Sequence, residues 1–139
     1  MGKTHLAKSA LWVAAQEGIR GFYLTMARFD RDAKDFEARP EVRERRRQGL
    51  STIPLLVIDD VGSTANRVSA SGIREGSAFV REQLSEMFDM RYRNQAPTLL
   101  TTNLTHEELA AEVGVRSWDR LKEHGALVYV PGVSMRGQT

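Results

Sequence analysis

The sequence has 139 residues, 41% of them hydrophobic and 27% charged, which suits one globular domain, and the absence of cysteine excludes a disulfide framework and a thiolate metal site. No apolar run approaches the roughly 20 residues that span a bilayer, and no signal-peptide pattern opens the chain, so we expect a cytoplasmic protein. The net charge of +2 does not by itself require a nucleic-acid partner.

The first predicted element is a helix over residues 3–17, because apolar residues recur at helical spacing and Gly18 supplies a stop. The residues around its start are Gly2, Lys3 and Thr4, which form the second half of the motif G-x-x-x-x-G-K-[ST]. In that motif backbone amides surround phosphates, the lysine reaches the terminal phosphates, and the hydroxyl binds Mg²⁺. We therefore predict a phosphate site here, and the alternative is an ordinary helix start.

The next segment is predicted to contain one strand and two helices. Aromatic and β-branched residues favour a strand over residues 19–26, a short helix follows over 29–39, and Pro40 ends it. A charged helix over 41–50 carries four closely spaced arginines, Arg43, Arg45, Arg46 and Arg47. These arginines either form a solvated helix face or contact the phosphate backbone of DNA or RNA.

A short apolar run that follows the breaker Pro54 predicts a strand buried on both faces, as in a parallel sheet. The strand covers residues 55–60, within the stretch 55–62, and it ends in Asp59 and Asp60. Ligands of open α/β sheets bind just outside the carboxyl ends of the strands. The two carboxylates therefore lie where a nucleotide-bound metal would be held, and the alternative is an ordinary strand end.

The second half of the chain continues the alternation of helices and strands. Residues 63–77, rich in serine, glycine and alanine, predict a loop that is either a lid over the site or a tolerated surface insertion. A capping-box pattern at Thr105 predicts a helix that stops at Gly114. The other predicted elements are a helix over 79–93, a strand over 98–102 ended by Asn103, a helix over 116–123 and a strand over 126–130.

This alternation predicts an α/β fold in which a parallel sheet carries helices on both faces. A phosphate-binding loop needs a further strand directly before Gly2, and the sequence does not contain one. Our hypothesis is that residues 1–139 form a single, partial domain that starts inside the phosphate-binding motif, as the C-terminal portion of a longer protein. A phosphate site with fewer amide donors would bind its ligand more weakly.

The order and spacing of these motifs resemble the AAA+ ATPases of the DnaC and IstB type, which are helicase loaders and transposition helper proteins. The resemblance implies a P-loop NTPase fold, a three-layer parallel sheet with helices on both faces that here lacks its first central strand. The segments that carry the resemblance are Gly2-Lys3-Thr4-His5-Leu6-Ala7, residues 55–62, 97–103 and 116–121, and Ser134-Met135-Arg136.

The resemblance also implies roles for the residues of the first helix and of the Asp-Asp strand. Gly2, Lys3 and Thr4 would belong to Walker A and contact ATP, with Thr4 as a Mg²⁺ ligand. Asp59 resembles the Walker B Mg²⁺ ligand. Asp60 stands where the family often has glutamate, which polarises the attacking water, and a shorter aspartate would hold that water less well and slow turnover.

Four later residues receive roles from the same resemblance. Asn103 resembles sensor 1, which orients the water beside the γ-phosphate. Arg120 resembles the arginine finger that acts on the nucleotide of a neighbouring subunit, with Arg116 as a second candidate, and a finger implies a homo-oligomer. Arg136 resembles sensor 2, which contacts the phosphates of its own subunit. The alternative for each arginine is a surface ion pair.

The resemblance further implies an ATP- and Mg²⁺-dependent ATPase that loads a replicative helicase on single-stranded DNA during replication. Residues 27–50 occupy the place of an extra helical element that grips single-stranded DNA in the initiator and loader branch. A transposition helper with a transposase partner is the first alternative. A catalytically silent DNA- or partner-binding fragment is the second, and a P-loop kinase is a third, which gives Asn103 and the two arginines no role.

Overall fold

The computed structural model describes residues 2–62 and 77–124. The predicted strand over 126–130, nearly all of the predicted loop over 63–77, and Arg136 lie outside these residues. Among the described residues, no helix combines the length and the apolar character that crossing a membrane requires. The described elements are α1 (Lys3–Gln16), β1 (Gly21–Thr25), α2 (Met26–Asp35), α3 (Pro40–Thr52), β2 (Leu55–Val61), α4 (Ser77–Arg93), β3 (Thr98–Thr102), α5 (His106–Val113) and α6 (Val115–His124).

Helices α2 and α3 begin earlier than predicted, as do α4 at Ser77 and α6 at Val115. Helix α2 begins at Met26 rather than at residue 29, because the Thr25 hydroxyl caps it by accepting a hydrogen bond from the Arg28 amide at 3.1 Å. Pro40 does not only end the preceding segment but is the first residue of α3, a position where its missing N–H costs nothing. The capping box of α5 forms as predicted, between Thr105 and Glu108.

The three described strands form a parallel sheet in the order β1-β2-β3, so the Asp-Asp strand is central among them. Helix α1 contacts all three strands, whereas α2 contacts β1 and β2. Leu56 and Ile58 are buried in the main hydrophobic core with apolar residues of α2 and α4. Val57 is also fully buried and points to the opposite face, since side chains alternate along a strand. The predicted arrangement of a parallel sheet with helices on both faces is confirmed.

An irregularity in β2 shapes its carboxyl end. The register with β3 shifts between Ile58 and Val61, as in a β-bulge. Asp60 lies within the shift and has a positive φ of 63°. Gly62 follows with φ 100°, and a Cβ atom there would lie 2.5 Å from the Leu104 side chain. The strand therefore ends in a bend at Gly62, two residues after Asp60, where the positive φ and the close Leu104 side chain both favour glycine.

A buried arginine fastens the other end of the sheet. Arg91 of α4 is 1% exposed and donates to the Thr98 hydroxyl at 2.7 Å, at the start of β3. Its guanidinium also donates to three backbone carbonyls, and burial lowers its pKa to about 10. These carbonyls belong to Leu50, Ile53 and Pro97, at distances of 2.7, 2.8 and 2.6 Å. Arg91 thus links the end of α3, helix α4 and β3.

Candidate nucleotide-binding site

The N-terminus of α1 faces the carboxyl ends of the central strands. Gly2 precedes the helix in the left-handed conformation, with φ 87°, and as a glycine it has no side chain to cap the first turn. The Gly2 carbonyl accepts the first helical bond, from the Leu6 amide at 2.8 Å. The other amides of the first turn lie at the positive end of a 14-residue helix dipole, which favours anions. This end of α1 is suited to phosphate.

Two hydrogen bonds join α1 to the ends of β2 and β3. The Lys3 ammonium donates to the Asn103 side-chain oxygen, just after β3. The Thr4 hydroxyl donates to Asp59 Oδ2 at 2.8 Å, at the end of β2. The structure therefore brings together four of the predicted site residues, which lie up to 100 positions apart in the sequence.

Asp59 is the most connected of these side chains. It is 4% exposed, and besides Thr4 it accepts hydrogen bonds from the Tyr23 hydroxyl at 2.5 Å and from the Thr101 hydroxyl. Burial alone would raise the pKa of Asp59, but the hydrogen bonds from Thr101, Tyr23 and Thr4 and the charge of Lys8 outweigh it and lower that pKa. Asp59 is therefore a charged carboxylate inside the protein at neutral pH.

Asp60 occupies a different environment from its neighbour. Its side chain is exposed, and its backbone amide donates to the Thr101 hydroxyl at 2.7 Å. The same hydroxyl donates to the Asp59 carboxylate, so Thr101 holds both aspartates of the bulge. The arrangement offers one fixed carboxylate and one that is accessible to solvent.

The oxygen donors of the site suit Mg²⁺. Thr4 and Asp59 supply a hydroxyl and a carboxylate, and Mg²⁺ is usually held by one or two carboxylates together with phosphate oxygens of the substrate. Within residues 2–62 and 77–124, no three histidine, cysteine or carboxylate residues cluster as an all-protein metal cage. The side chains present therefore fit a metal that arrives with a nucleotide.

Arg116 and Arg120 lie on α6 and pair with α4. The Arg120 guanidinium donates to Asp89 and stacks 4.4 Å from the centre of the Tyr92 ring. The Arg116 side chain is 75% exposed and lies 3.9 Å from the Asp89 carboxylate. Arg93 pairs with the same carboxylate at 2.6 Å. In the described part of the chain these contacts are separate from those of Lys3 and Asp59. The predicted finger roles of Arg116 and Arg120 stay predictions, and Arg136 lies outside the described residues.

Among residues 2–62 and 77–124, three of the four clustered arginines of α3 have hydrogen-bond partners. Arg46 donates to the Phe29 carbonyl at 3.1 Å and stacks 4.3 Å from the centre of that ring, and burial lowers its pKa. Arg45 is exposed. Arg43 and Arg47 donate to the Glu37 carbonyl and the Glu44 carboxylate. The arginines are thus neither a fully solvated face nor four free cations, and their predicted DNA contact stays a prediction.

Sequence reasoning missed Tyr23 and Thr101, which bind Asp59 directly. Thr101 could have been identified, because it lies two positions before Asn103 in a strand predicted to end at the site. Tyr23 carried no such signal, since its strand was recognised by β-propensity alone. The registers that place both residues around Asp59 appear only in the folded sheet.

Comparison with known proteins agrees with this geometry. Two solved structures share the fold over 91% of this chain, which spans 36% of each of them. One is a DNA replication initiation factor, with a TM-score of 0.70 and 22% identity. The other is AMPPCP-bound DnaA from Aquifex aeolicus, with a TM-score of 0.67 and 21% identity. No curated protein matches significantly. The family model of the IstB-like ATP binding proteins matches residues 1–139. The chain therefore belongs to the IstB-like ATP-binding protein family and has the P-loop AAA+ fold.

Proposed function

We propose that this chain binds ATP with Mg²⁺ at the ends of α1, β2 and β3 and hydrolyses it to ADP and phosphate in a AAA+ assembly. The assembly would load a replicative helicase on single-stranded DNA. The observation that carries the proposal is the pair of contacts Lys3–Asn103 and Thr4–Asp59, which join a G-K-T sequence to two strand ends. Membership of an ATP-binding family supports the nucleotide part.

Each site residue then has a chemical task. Lys3 supplies positive charge to the terminal phosphate oxygens, beside the amides of the α1 N-terminus. Thr4 and Asp59 hold Mg²⁺, which when bound neutralises charge on the β- and γ-phosphates. Asp60 accepts a proton from the attacking water, and Asn103 orients that water. Because aspartate is shorter than glutamate, we expect slow turnover.

Arg120 is the proposed finger, acting on the nucleotide of a neighbouring copy, with Arg116 as the second candidate and Arg136 as sensor 2. A mixing experiment tests this arrangement. Arg120→Ala keeps an intact nucleotide site and lacks the finger, whereas Lys3→Ala has the reverse defect. Each should be inactive alone, and their mixture should regain part of the ATPase activity at mixed interfaces. A mixture as inactive as its components would refute action in trans.

The DNA part of the proposal concerns Arg43, Arg45, Arg46 and Arg47. Arg45 is the exposed member, so it is the most direct candidate for a phosphate contact. Arg45→Ala should weaken binding of a single-stranded oligonucleotide and reduce its salt dependence, as a lost phosphate contact does. Unchanged binding would remove Arg45 from the proposal. A transposition helper ATPase is the alternative, and the two differ in whether a replicative helicase or a transposase is bound.

Nucleotide binding is tested by titrating a fluorescent ATP analogue with Mg²⁺ into the chain. Lys3→Ala should raise the Kd roughly 10- to 100-fold, because hydrogen bonds to charged groups contribute about 1.5–3 kcal/mol. Lys34→Ala is the matched control, since Lys34 is a partly exposed lysine that pairs with Asp30 on α2. Equal Kd values for both variants would place binding elsewhere than at Lys3.

The same titration on a version extended upstream, with a complete G-x-x-x-x-G-K-T motif, separates two kinds of failure. If neither chain binds the analogue, the ATPase proposal is wrong and a catalytically silent binding module takes its place. If only the extended chain binds, the site residues act as proposed but need the additional amides of the complete motif.

A further inference from the structure

The Asp59 carboxylate is held from three sides by hydroxyl groups. Tyr23 on β1 and Thr4 on α1 both donate to Oδ2, at 2.5 and 2.8 Å. Thr101 on β3 donates to Oδ1. The donors come from the strands on both sides of β2 and from the helix above it. Tyr23 and Thr101 belong to neither the G-K-T sequence nor the Asp-Asp pair.

These three bonds determine how the carboxylate can be used. A terminal carboxylate torsion is broad, so an aspartate on its own is poorly fixed in orientation. An ionised carboxylate has about four acceptor positions, and three of those of Asp59 are occupied within the protein. Asp59 is therefore fixed in its plane and has about one acceptor position left, in one direction.

The hydrogen bond from Thr4 to Asp59 Oδ2 also orients the Thr4 hydroxyl. Because the Thr4 hydroxyl gives its proton to Asp59, its oxygen lone pairs remain available as a metal ligand. A rotated Asp59 would release that proton and leave the Thr4 hydroxyl free to turn. The orientation of Asp59 thus decides whether Thr4 can present oxygen lone pairs.

We propose that Tyr23 and Thr101 are positioning residues of the nucleotide site, which fix Asp59 so that Thr4 and Asp59 together bind Mg²⁺. This rests on the proposed function of the site. Removing a group that hydrogen-bonds to a metal ligand commonly lowers metal affinity by about 10- to 100-fold. Here these groups are two hydroxyls from neighbouring strands.

The two hydroxyls have separable effects. Tyr23 bonds to Asp59, and its ring lies 5.0 Å from the Lys8 ammonium, an interaction that phenylalanine retains. Thr101 additionally accepts the Asp60 amide, where the backbone has φ 63°. Tyr23→Phe should therefore disturb Asp59 alone, whereas Thr101→Val should disturb both aspartates and the bulge between them.

The test is a Mg²⁺ titration of fluorescent ATP-analogue binding to the 139-residue chain. Tyr23→Phe should raise the half-saturating Mg²⁺ concentration about 10-fold, with the nucleotide affinity at saturating Mg²⁺ unchanged. Thr101→Val should do the same and also lower the turnover rate, while Thr101→Ser should restore both. Thr52→Val is the control, because it removes the hydroxyl of an exposed residue at the end of α3.

The outcomes distinguish this inference from the proposed function. If the wild-type chain binds the analogue with Mg²⁺ and Tyr23→Phe and Thr101→Val behave like Thr52→Val, positioning by the two hydroxyls is refuted and the ATP-binding proposal stands. If neither the wild-type chain nor its version extended upstream shows Mg²⁺-dependent binding, both fall; if only the extended version binds, the same variants are compared in it. A lower Tm without a change in Mg²⁺ dependence would assign the hydroxyls a structural role only and would also overturn the inference.

Discussion

Replacing Arg91 by methionine tests whether a buried cation without a described carboxylate partner holds the sheet in place. Arg91 is 1% exposed, and its four described hydrogen bonds go to the Thr98 hydroxyl and to carbonyl oxygens. Methionine keeps most of the apolar stem and removes every donor. The carbonyls at the end of α3 and before β3 then lose their shared partner.

The magnitude follows from two opposing terms. Hydrogen bonds to charged groups contribute about 1.5–3 kcal/mol each, so the four give at least about 6 kcal/mol. Against this stands the desolvation of the guanidinium, which lowers its pKa from 12.5 to about 10 and so costs about 3 kcal/mol. Arg91→Met should therefore reduce the free energy of unfolding by about 3 kcal/mol or more, a large part of the roughly 5–15 kcal/mol of a typical domain.

Urea denaturation followed by far-UV circular dichroism measures this loss. With an m-value of roughly 1–3 kcal/mol/M, the midpoint should fall by about 1–3 M. Arg93→Met is the matched control on the same helix, because Arg93 has a side chain that is 66% exposed and pairs with Asp89 at the surface, where ion pairs contribute under about 1 kcal/mol. Equal midpoints for the two variants would refute the reasoning.

Three further predictions concern other parts of the fold. Burial and the bond to Asp59 raise the pKa of Tyr23 to about 12. An absorbance titration should therefore show that Tyr23 ionises late, and less late in Asp59→Asn. The free energy of unfolding should fall as the pH rises from 10 towards 12, because the folded state holds the Tyr23 proton more tightly than the unfolded chain does. Asp89→Asn leaves three arginines facing one another, so its Tm should drop most at low salt and recover with added NaCl. Thr105→Ala removes the α5 cap and should cost about 1 kcal/mol in thermal unfolding, with Thr105→Ser close to wild type.

The sequence was sufficient to predict the sheet and the meeting point of its strand ends. Buried parallel strands have continuous apolar runs, and the run before Asp59 is such a pattern. Because parallel strands end at one edge, polar residues after two neighbouring strands must lie close together. Asp59 and Asn103 lie at one edge of the sheet for that reason, and the contacts of Thr4 with Asp59 and of Lys3 with Asn103 place the start of α1 at the same edge.

Contacts that depend on register or on helix rotation could not be predicted. The bond from Tyr23 to Asp59 requires knowing how β1 aligns with β2, and local periodicity does not fix that alignment. Arg91 looks like an ordinary charged residue near the end of a helix until α3 and β3 surround it. The arginines of α3 are similar, since the rotation of the helix decides that Arg46 packs on Phe29 while Arg45 stays exposed.

The hydrogen bonds of the site divide it into a fixed part and an exchangeable part. Asp59 accepts hydrogen bonds from hydroxyl groups on both sides, and on the proposed function it keeps them when Thr4 ligates a metal, because Thr4 uses its proton for Asp59 and its lone pairs for the ligand. Lys3 is different, since its described partner is the neutral side-chain oxygen of Asn103. On the proposed function, a phosphate oxygen takes the place of the Asn103 oxygen as the acceptor from Lys3. Because this acceptor is charged, the hydrogen bond from Lys3 becomes stronger, and the Asn103 side chain becomes free to hold water. On that view, nucleotide binding has to break the described Lys3–Asn103 hydrogen bond, whereas folding has already oriented the Asp59 carboxylate.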